Sequence, residues 1–113
     1  MDKFSAISDP TRRKILQMLA NQGPLNAGEI GEAFKMSPPA ISQHLKILRE
    51  VHLVRVEKQA QQRIYFINPQ VMIEFEDWAR QMTHLWNQRF DALDKVLMVE
   101  KKKSIRSREK KEG

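Results

Sequence analysis

The chain has 113 residues, with 20 Lys+Arg against 14 Asp+Glu, three histidines, no cysteine, a formal charge of +6 and a pI near 9.8. One domain is expected at this length. The lack of cysteine excludes a disulfide framework, a thiolate metal site and a cysteine nucleophile, and no stretch approaches the roughly 18 apolar residues of a membrane span.

The N-terminal MDKFSAISDPTRRK has no long apolar run of the kind a secretory signal needs. The expectation is a soluble, cytoplasmic protein whose basic balance suits an anionic partner, nucleic acid above all. A short helix is predicted from Asp2 to Ile7, with Phe4 and Ile7 at i,i+3. Asp9-Pro10 then reads as an N-cap followed by proline at the first helical position. Ile15, Leu16 and Leu19 give that helix its apolar stripe, with Met18 beside it, and Gln22-Gly23-Pro24 ends it. Arg12, Arg13 and Lys14 stand in its first turn, where they oppose the macrodipole. Phosphate or a carboxylate partner is expected to favour them.

Asn26 and Glu29 have capping-box spacing and open the next helix. Ala27, Ile30, Ala33 and Phe34 are its expected buried face. Gly28 and Gly31 each weaken it by roughly 1 kcal/mol relative to alanine, which suggests close approach of a neighbouring helix. After a tight connection near residues 35–37, Ser37-Pro38-Pro39 starts a helix running to about Glu50, with Ile41, Leu45 and Leu48 facing inward. These two helices make a helix-turn-helix candidate. Residues 53–57 and 63–67 are rich in β-branched and aromatic side chains and read as a β-hairpin. Its polar loop, Lys58 to Gln62, has neither Gly nor Asn, so a longer, mobile loop is expected and not a tight type I′ turn.

Asn68-Pro69 opens the last element. From Val71 to Val99 the pattern is helical without a breaker, and about thirty residues would span roughly 45 Å. Its apolar stripe comprises Phe75, Trp78, Met82, Leu85, Trp86, Phe90, Leu93 and Leu97. So wide a face on so long a helix favours packing against a second copy of the chain. Net charge is +4 over residues 1–68, −2 over 69–99 and +4 over the last fourteen. The last segment has one apolar residue, Ile105, and residues 99–113 are expected to form a basic, disordered tail.

On the helix that begins at Ser37, the side opposite the apolar stripe carries Pro39, Gln43, Lys46 and Glu50, with Ser42 on its flank. Gln suits adenine N6/N7, Lys suits guanine or phosphate, and Ser suits either. The helix N-terminus favours phosphate. The bland alternative is an ordinary solvated face. The hairpin that follows raises the odds, since Lys58, Gln59, Gln61, Gln62 and Arg63 would lie along a minor groove or backbone. His44 flanks the recognition face and reads as a packing or phosphate-contacting residue. No pair among His44, His52 and His84 has metal-ligand spacing. His84 has Asp77 and Asp91 seven residues to either side, most simply a surface histidine among carboxylates. No metal site, cofactor or enzymatic constellation is expected.

Three segments carry a family resemblance. They are Phe4-x-Ala6-x-Ser8-Asp9-Pro10-Thr11-Arg12-Arg13-x-Ile15-Leu16; Met36-Ser37-x-Pro39-Ala40-Ile41-Ser42-x-His44-Leu45-x-x-Leu48; and Leu53-Val54 with Arg63-x-Tyr65. Over residues 1 to about 98 the chain resembles the ArsR-type winged-helix repressors. The resemblance implies a mainly α fold with a small β-hairpin, a winged helix-turn-helix with a long C-terminal dimerisation helix. It also implies a homodimeric repressor of operator DNA, nucleoid-associated in the cytoplasm. Its recognition helix and wing correspond to Ser37–Arg49 and Lys58–Arg63. Its dimer contacts correspond to the first helix, with Phe4 and Ile7, and the Trp78–Leu97 region. The family's metal sensors carry cysteine in the stretch that here reads Glu29 to Phe34, and Asp77 with His84 does not match their last-helix ligands. Metal sensing is therefore not implied. The Trp-rich last helix is similar to the metal-independent branch, whose effector is unknown. The alternative reading is a winged-helix protein-interaction module without specific DNA readout. RNA binding is weaker still, for want of stacking aromatics near the wing tip.

Overall fold

Helices begin in this chain where a side chain can accept the first unpaired backbone N–H groups. In the computed structural model, which describes residues 1–96, Asp2 accepts from Ser5 N at 2.8 Å and starts α1, Lys3–Ala6. Asp9 accepts from Arg12 N at 2.9 Å and starts α2, Pro10–Gln22. Asn26 and Glu29 form the reciprocal capping box of α3, Ala27–Gly31. Ser37 accepts from Ala40 N and starts α4, Pro38–Glu50, with its two prolines in the first turn. Both termini of α2 follow the expectation. Gly23 ends it at φ +84° and ψ −164°, a conformation open essentially only to glycine.

Three strands form one antiparallel sheet in the order β1-β3-β2. They are β1, Leu25–Asn26; β2, Val54–Gln59; and β3, Gln62–Ile67. The two-residue β1, paired Leu25↔Tyr65 and Asn26↔Ile64, is absent from the sequence reading. The last helix, α5, spans Pro69–Val96. The described residues fall into two compact units, Met1–Ile73 and a second that begins at Glu74. Within the first, Ala6, Ile15, Leu16, Leu19, Leu25, Ile30, Ile41, Leu45, Leu48, Leu53, Val54, Tyr65 and Val71 are buried together as the core. The architecture is a winged helix-turn-helix, mainly α with a small sheet and a long C-terminal helix.

Three expectations need correction. The hairpin loop is tight: Gln59 pairs with Gln62, leaving only Ala60 and Gln61 between the strands. Ala60 adopts φ +55°, the positive value that a two-residue turn needs at its first central position. The requirement is met by an alanine, which carries no sequence signal for it. The third helix is short. It ends at Gly31, and Ala33 N and Phe34 N bond the carbonyls three residues back. The chain there has left the α-helical path, so Ala33 is exposed and Phe34 only half-buried. Finally, a Cβ on Gly31 would meet Ile41 at an ordinary 3.9 Å. One on Gly28 would crowd the capping Asn26 side chain at 3.3 Å. The crowding at Gly28 comes from its own helix cap and not from a neighbouring helix.

The exit from α4 is equally specific. His52 N bonds Arg49 O and Leu53 N bonds Leu48 O, both at 3.0 Å, while His52 sits at φ +62°. This is a Schellman motif with histidine where glycine is usual, and Leu48 and Leu53 supply its apolar contact. Asn68 closes the joint from the other side. Its Nδ2 donates to His52 O at 2.9 Å and its backbone N donates to Leu53 O at 3.0 Å. A left-handed non-glycine residue is strained by roughly 1–2 kcal/mol, offset in part by glycine's greater unfolded-state freedom. Ala60→Gly is therefore expected to raise stability by about 0.5–1 kcal/mol, read from urea midpoints at unchanged slope.

Candidate nucleic-acid interface

The outward face of α4 is as the apolar stripe dictates. Ile41, Leu45 and Leu48 are buried, and Ser37, Pro39, Ser42, Gln43 and Lys46 are exposed. Lys46 Nζ lies 4.0 Å from Glu50 on the next turn, with both side chains more than half exposed. Such a pair is worth only about 0.3–0.5 kcal/mol, so Lys46 can leave it for a stronger anion.

The hairpin adds a second cationic feature. Lys58, Gln61, Gln62 and Arg63 are all exposed. Lys58 and Arg63 are direct cross-strand partners, so they project from the same face. Like charges set opposite each other destabilise a ribbon unless an anion lies between or beside them. The register continues the face of Val56 and Tyr65. Next to the turn, Asn26 Nδ2 donates to Gln62 Oε1 at 3.4 Å, tying the first residue of β3 to the cap of α3.

His44 behaves differently from its neighbours. Its side chain is only 20% exposed, and its Nδ1 lies 3.3 Å from Arg12 Nη1 and 3.8 Å from Asp9 Oδ2. Arg12 is itself buried, at 8% exposure, and its Nε donates to Ala6 O at 2.7 Å. Arg13 Nη1 donates to Ile7 O at 2.7 Å and to Ser8 O at 3.0 Å. Lys14 Nζ stands 5.0 Å above the Phe34 ring. Main-chain carbonyls and a ring engage these three cations, and the expected carboxylate partner is met for Arg12, whose charge also acts on Asp9. Two of the arginines' acceptors, Ala6 O and Ile7 O, lie at the end of α1, where cations are favoured.

The Asp9 carboxyl is held below its ordinary value of 3.8, chiefly by the Arg12 backbone N–H, which outweighs the opposing desolvation, with a smaller contribution from the Arg12 charge. A lowered carboxyl contributes stability above its unfolded-state value and loses it as pH falls through the lowered one. Asp9→Ala should cost about 1 kcal/mol near neutrality. Below about pH 4 the gap between wild type and variant should close, seen in denaturation midpoints across an acid series.

On α5, Trp78, Met82, Leu85, Trp86, Phe90 and Leu93 are all exposed, Trp86 at 66%. Phe4 is exposed on α1 and Ile7 half-buried just beyond it. Leu97 and the basic segment from residue 99 lie outside the described residues. Among the described residues no group of three or more His, Asp or Glu is placed to hold a metal ion. No described helix is long and apolar enough to cross a membrane.

Residues 9–56 match the family model described as "Bacterial regulatory protein, arsR family". The chain is 43% identical over 75 residues to the transcriptional repressor SdpR of Bacillus subtilis, a match covering 66% of this chain and 82% of that protein. It is 41% identical over 66 residues to the HTH-type transcriptional regulator Rv2034 of Mycobacterium tuberculosis, covering 58% of this chain and 61% of the other. Among solved structures, an ArsR-like transcriptional regulator from Rhodococcus sp. RHA1 superposes with a TM-score of 0.73 at 25% identity, covering 82% of this chain and 87% of that one. The crystal structure of another ArsR family transcriptional regulator gives a TM-score of 0.69 at 31% identity, covering 74% and 86%.

Proposed function

Because the chain belongs to the ArsR family of bacterial regulatory proteins, we propose that it is a sequence-specific DNA-binding transcriptional repressor that acts as a homodimer. The observation that carries this reading is the pairing of two exposed features in one unit. These are the Ser42, Gln43 and Lys46 face of α4 and the like-charged Lys58/Arg63 pair of the hairpin. Helix α4 enters the major groove, where Gln43 and Lys46 reach base edges and Ser37, Pro39 and Ser42 lie near the backbone. Lys58, Gln61, Gln62 and Arg63 follow the minor groove or the phosphates, and an anion there relieves the Lys58/Arg63 repulsion.

The exposed apolar residues of α5 and Phe4 of α1 supply the homodimer contacts. A face with two tryptophans, Phe90 and three aliphatic or thioether side chains is more apolar than a monomer ordinarily leaves in water. Residues 1–98 carry these functions, and the basic tail at 99–113 adds affinity without choosing sequence. The protein works in the cytoplasm, at the nucleoid.

The test is selection of duplex DNA by the purified protein together with sedimentation. A dimer that enriches a roughly palindromic duplex, with affinity falling steeply with salt, is the expected result. A monomer with no preference among duplexes would instead identify a protein-interaction module.

A further inference from the structure

The contact between Arg12 and His44 fixes a proton. A guanidinium has five donors and no acceptor. With Arg12 Nη1 at 3.3 Å, His44 Nδ1 must be the acceptor of that bond. Asp9 Oδ2, at 3.8 Å, is too far to compete for a proton on Nδ1, and it already accepts from Arg12 N at 2.9 Å. The neutral ring then carries its hydrogen on Nε2. Nothing among the described residues bonds Nε2, and no buried side-chain nitrogen or oxygen lacks a partner. Nε2 is therefore open to solvent, on the flank of α4 next to Gln43.

We propose that Arg12 is a positioning residue that locks His44 as the Nε2–H tautomer, and that His44 donates this hydrogen to a backbone phosphate of the bound duplex. The inference rests on the DNA-binding reading and extends it to a buried arginine that does not itself reach DNA. Its geometric support is the anchoring of Arg12. With Nε on Ala6 O at 2.7 Å and 8% exposure, the guanidinium is held by α1 independently of any ligand. Binding then finds the imidazole already oriented, which reduces the ordering cost of the contact. As a neutral donor, His44 releases no counterion, and this separates it from Lys46, Lys58 and Arg63.

The experiment uses the full chain and a short duplex that the wild-type protein has selected from a random pool. Long-range proton–nitrogen spectra of the ring should show Nε2–H in the wild type and lose that preference in Arg12→Gln. The His44→Gln amide can take the place of Nε2 and should bind within about threefold of wild type. His44→Asn and His44→Ala should bind about tenfold more weakly, with the salt slope unchanged. A methylphosphonate scan of the duplex should reveal one phosphate whose neutralisation weakens the wild type and leaves His44→Ala unaffected. Arg12→Gln combined with His44→Ala should be no worse than the weaker single variant. If Arg12→Gln does not fold, the wild-type ring spectrum and the Gln/Asn contrast still decide. An Nδ1–H ring, or His44→Ala binding like wild type, overturns the inference while leaving DNA binding intact. Failure of the wild type to select any duplex removes the functional reading, and this inference with it.

Discussion

Leu48→Ala should destabilise the N-terminal unit by about 2–5 kcal/mol, the largest stability loss expected from a single truncation in this chain. Leu48 has no exposed surface, and it joins two structures at once. It is the last inward residue of α4, and its carbonyl and side chain both serve the Schellman motif that turns the chain into β2. Truncation leaves a cavity where helix, joint and sheet meet. The surroundings are fixed by backbone bonds, so they collapse poorly and the cost falls in the upper part of the range. A domain of this size has little to spare, since stabilities run to about 5–15 kcal/mol. A melting temperature lower by 10 °C or more is expected, at about 4–8 °C per kcal/mol. Gln17→Ala, on the exposed side of α2, should stay within about 0.5 kcal/mol of wild type. A Leu48→Ala protein that melts with the wild type would place the core elsewhere.

The second large effect is on binding. Replacing Gln43 and Lys46 together by alanine removes the two side chains on α4 best suited to base edges. A good bidentate contact discriminates by about 1–3 kcal/mol. The double variant should lose roughly a hundredfold in affinity for the selected duplex and clearly less for arbitrary DNA. Both residues are exposed, and among the described residues Lys46 is engaged only by the loose Glu50 pair, so the variant should melt with the wild type. Equal loss on both kinds of DNA would mean that this face contributes charge and no readout.

Most of the fold was legible because its boundaries are written in side chains. Asp9-Pro10, Asn26 with Glu29, and Ser37 before two prolines each announce a helix start through an oxygen that accepts a backbone hydrogen. Gly23 marks a stop that only glycine permits. The failures share a different origin, because their partners are backbone atoms that no residue letter records. Arg12 and Arg13 look like cations in search of an anion, and although Asp9 lies beside Arg12, their shortest bonds run to Ala6 O, Ile7 O and Ser8 O. The hairpin looked long because tight turns usually declare themselves with Gly or Asn, and here Ala60 takes the strained φ. Strand β1 is two residues long, too short for any periodicity to show. At the interface, the exposed residues of α4 followed directly from the apolar stripe. The half-buried setting of His44 fits its reading as a packing residue, but its partner, an arginine 32 positions away, leaves no local signal.

The joint at residues 51–53 has a mechanical consequence. Val51, His52 and Leu53 each donate a backbone hydrogen to the last turns of α4. Asn68, one residue before α5, grips the carbonyls of His52 and Leu53. No slack remains between helix and hairpin, so they cannot pivot about each other without breaking several bonds at once. The two elements move as a single jaw, and Asn68 is the rivet through it. Whatever displaces α4 must therefore carry the start of β2 with it, because the bonds at residues 51–53 and 68 join the two.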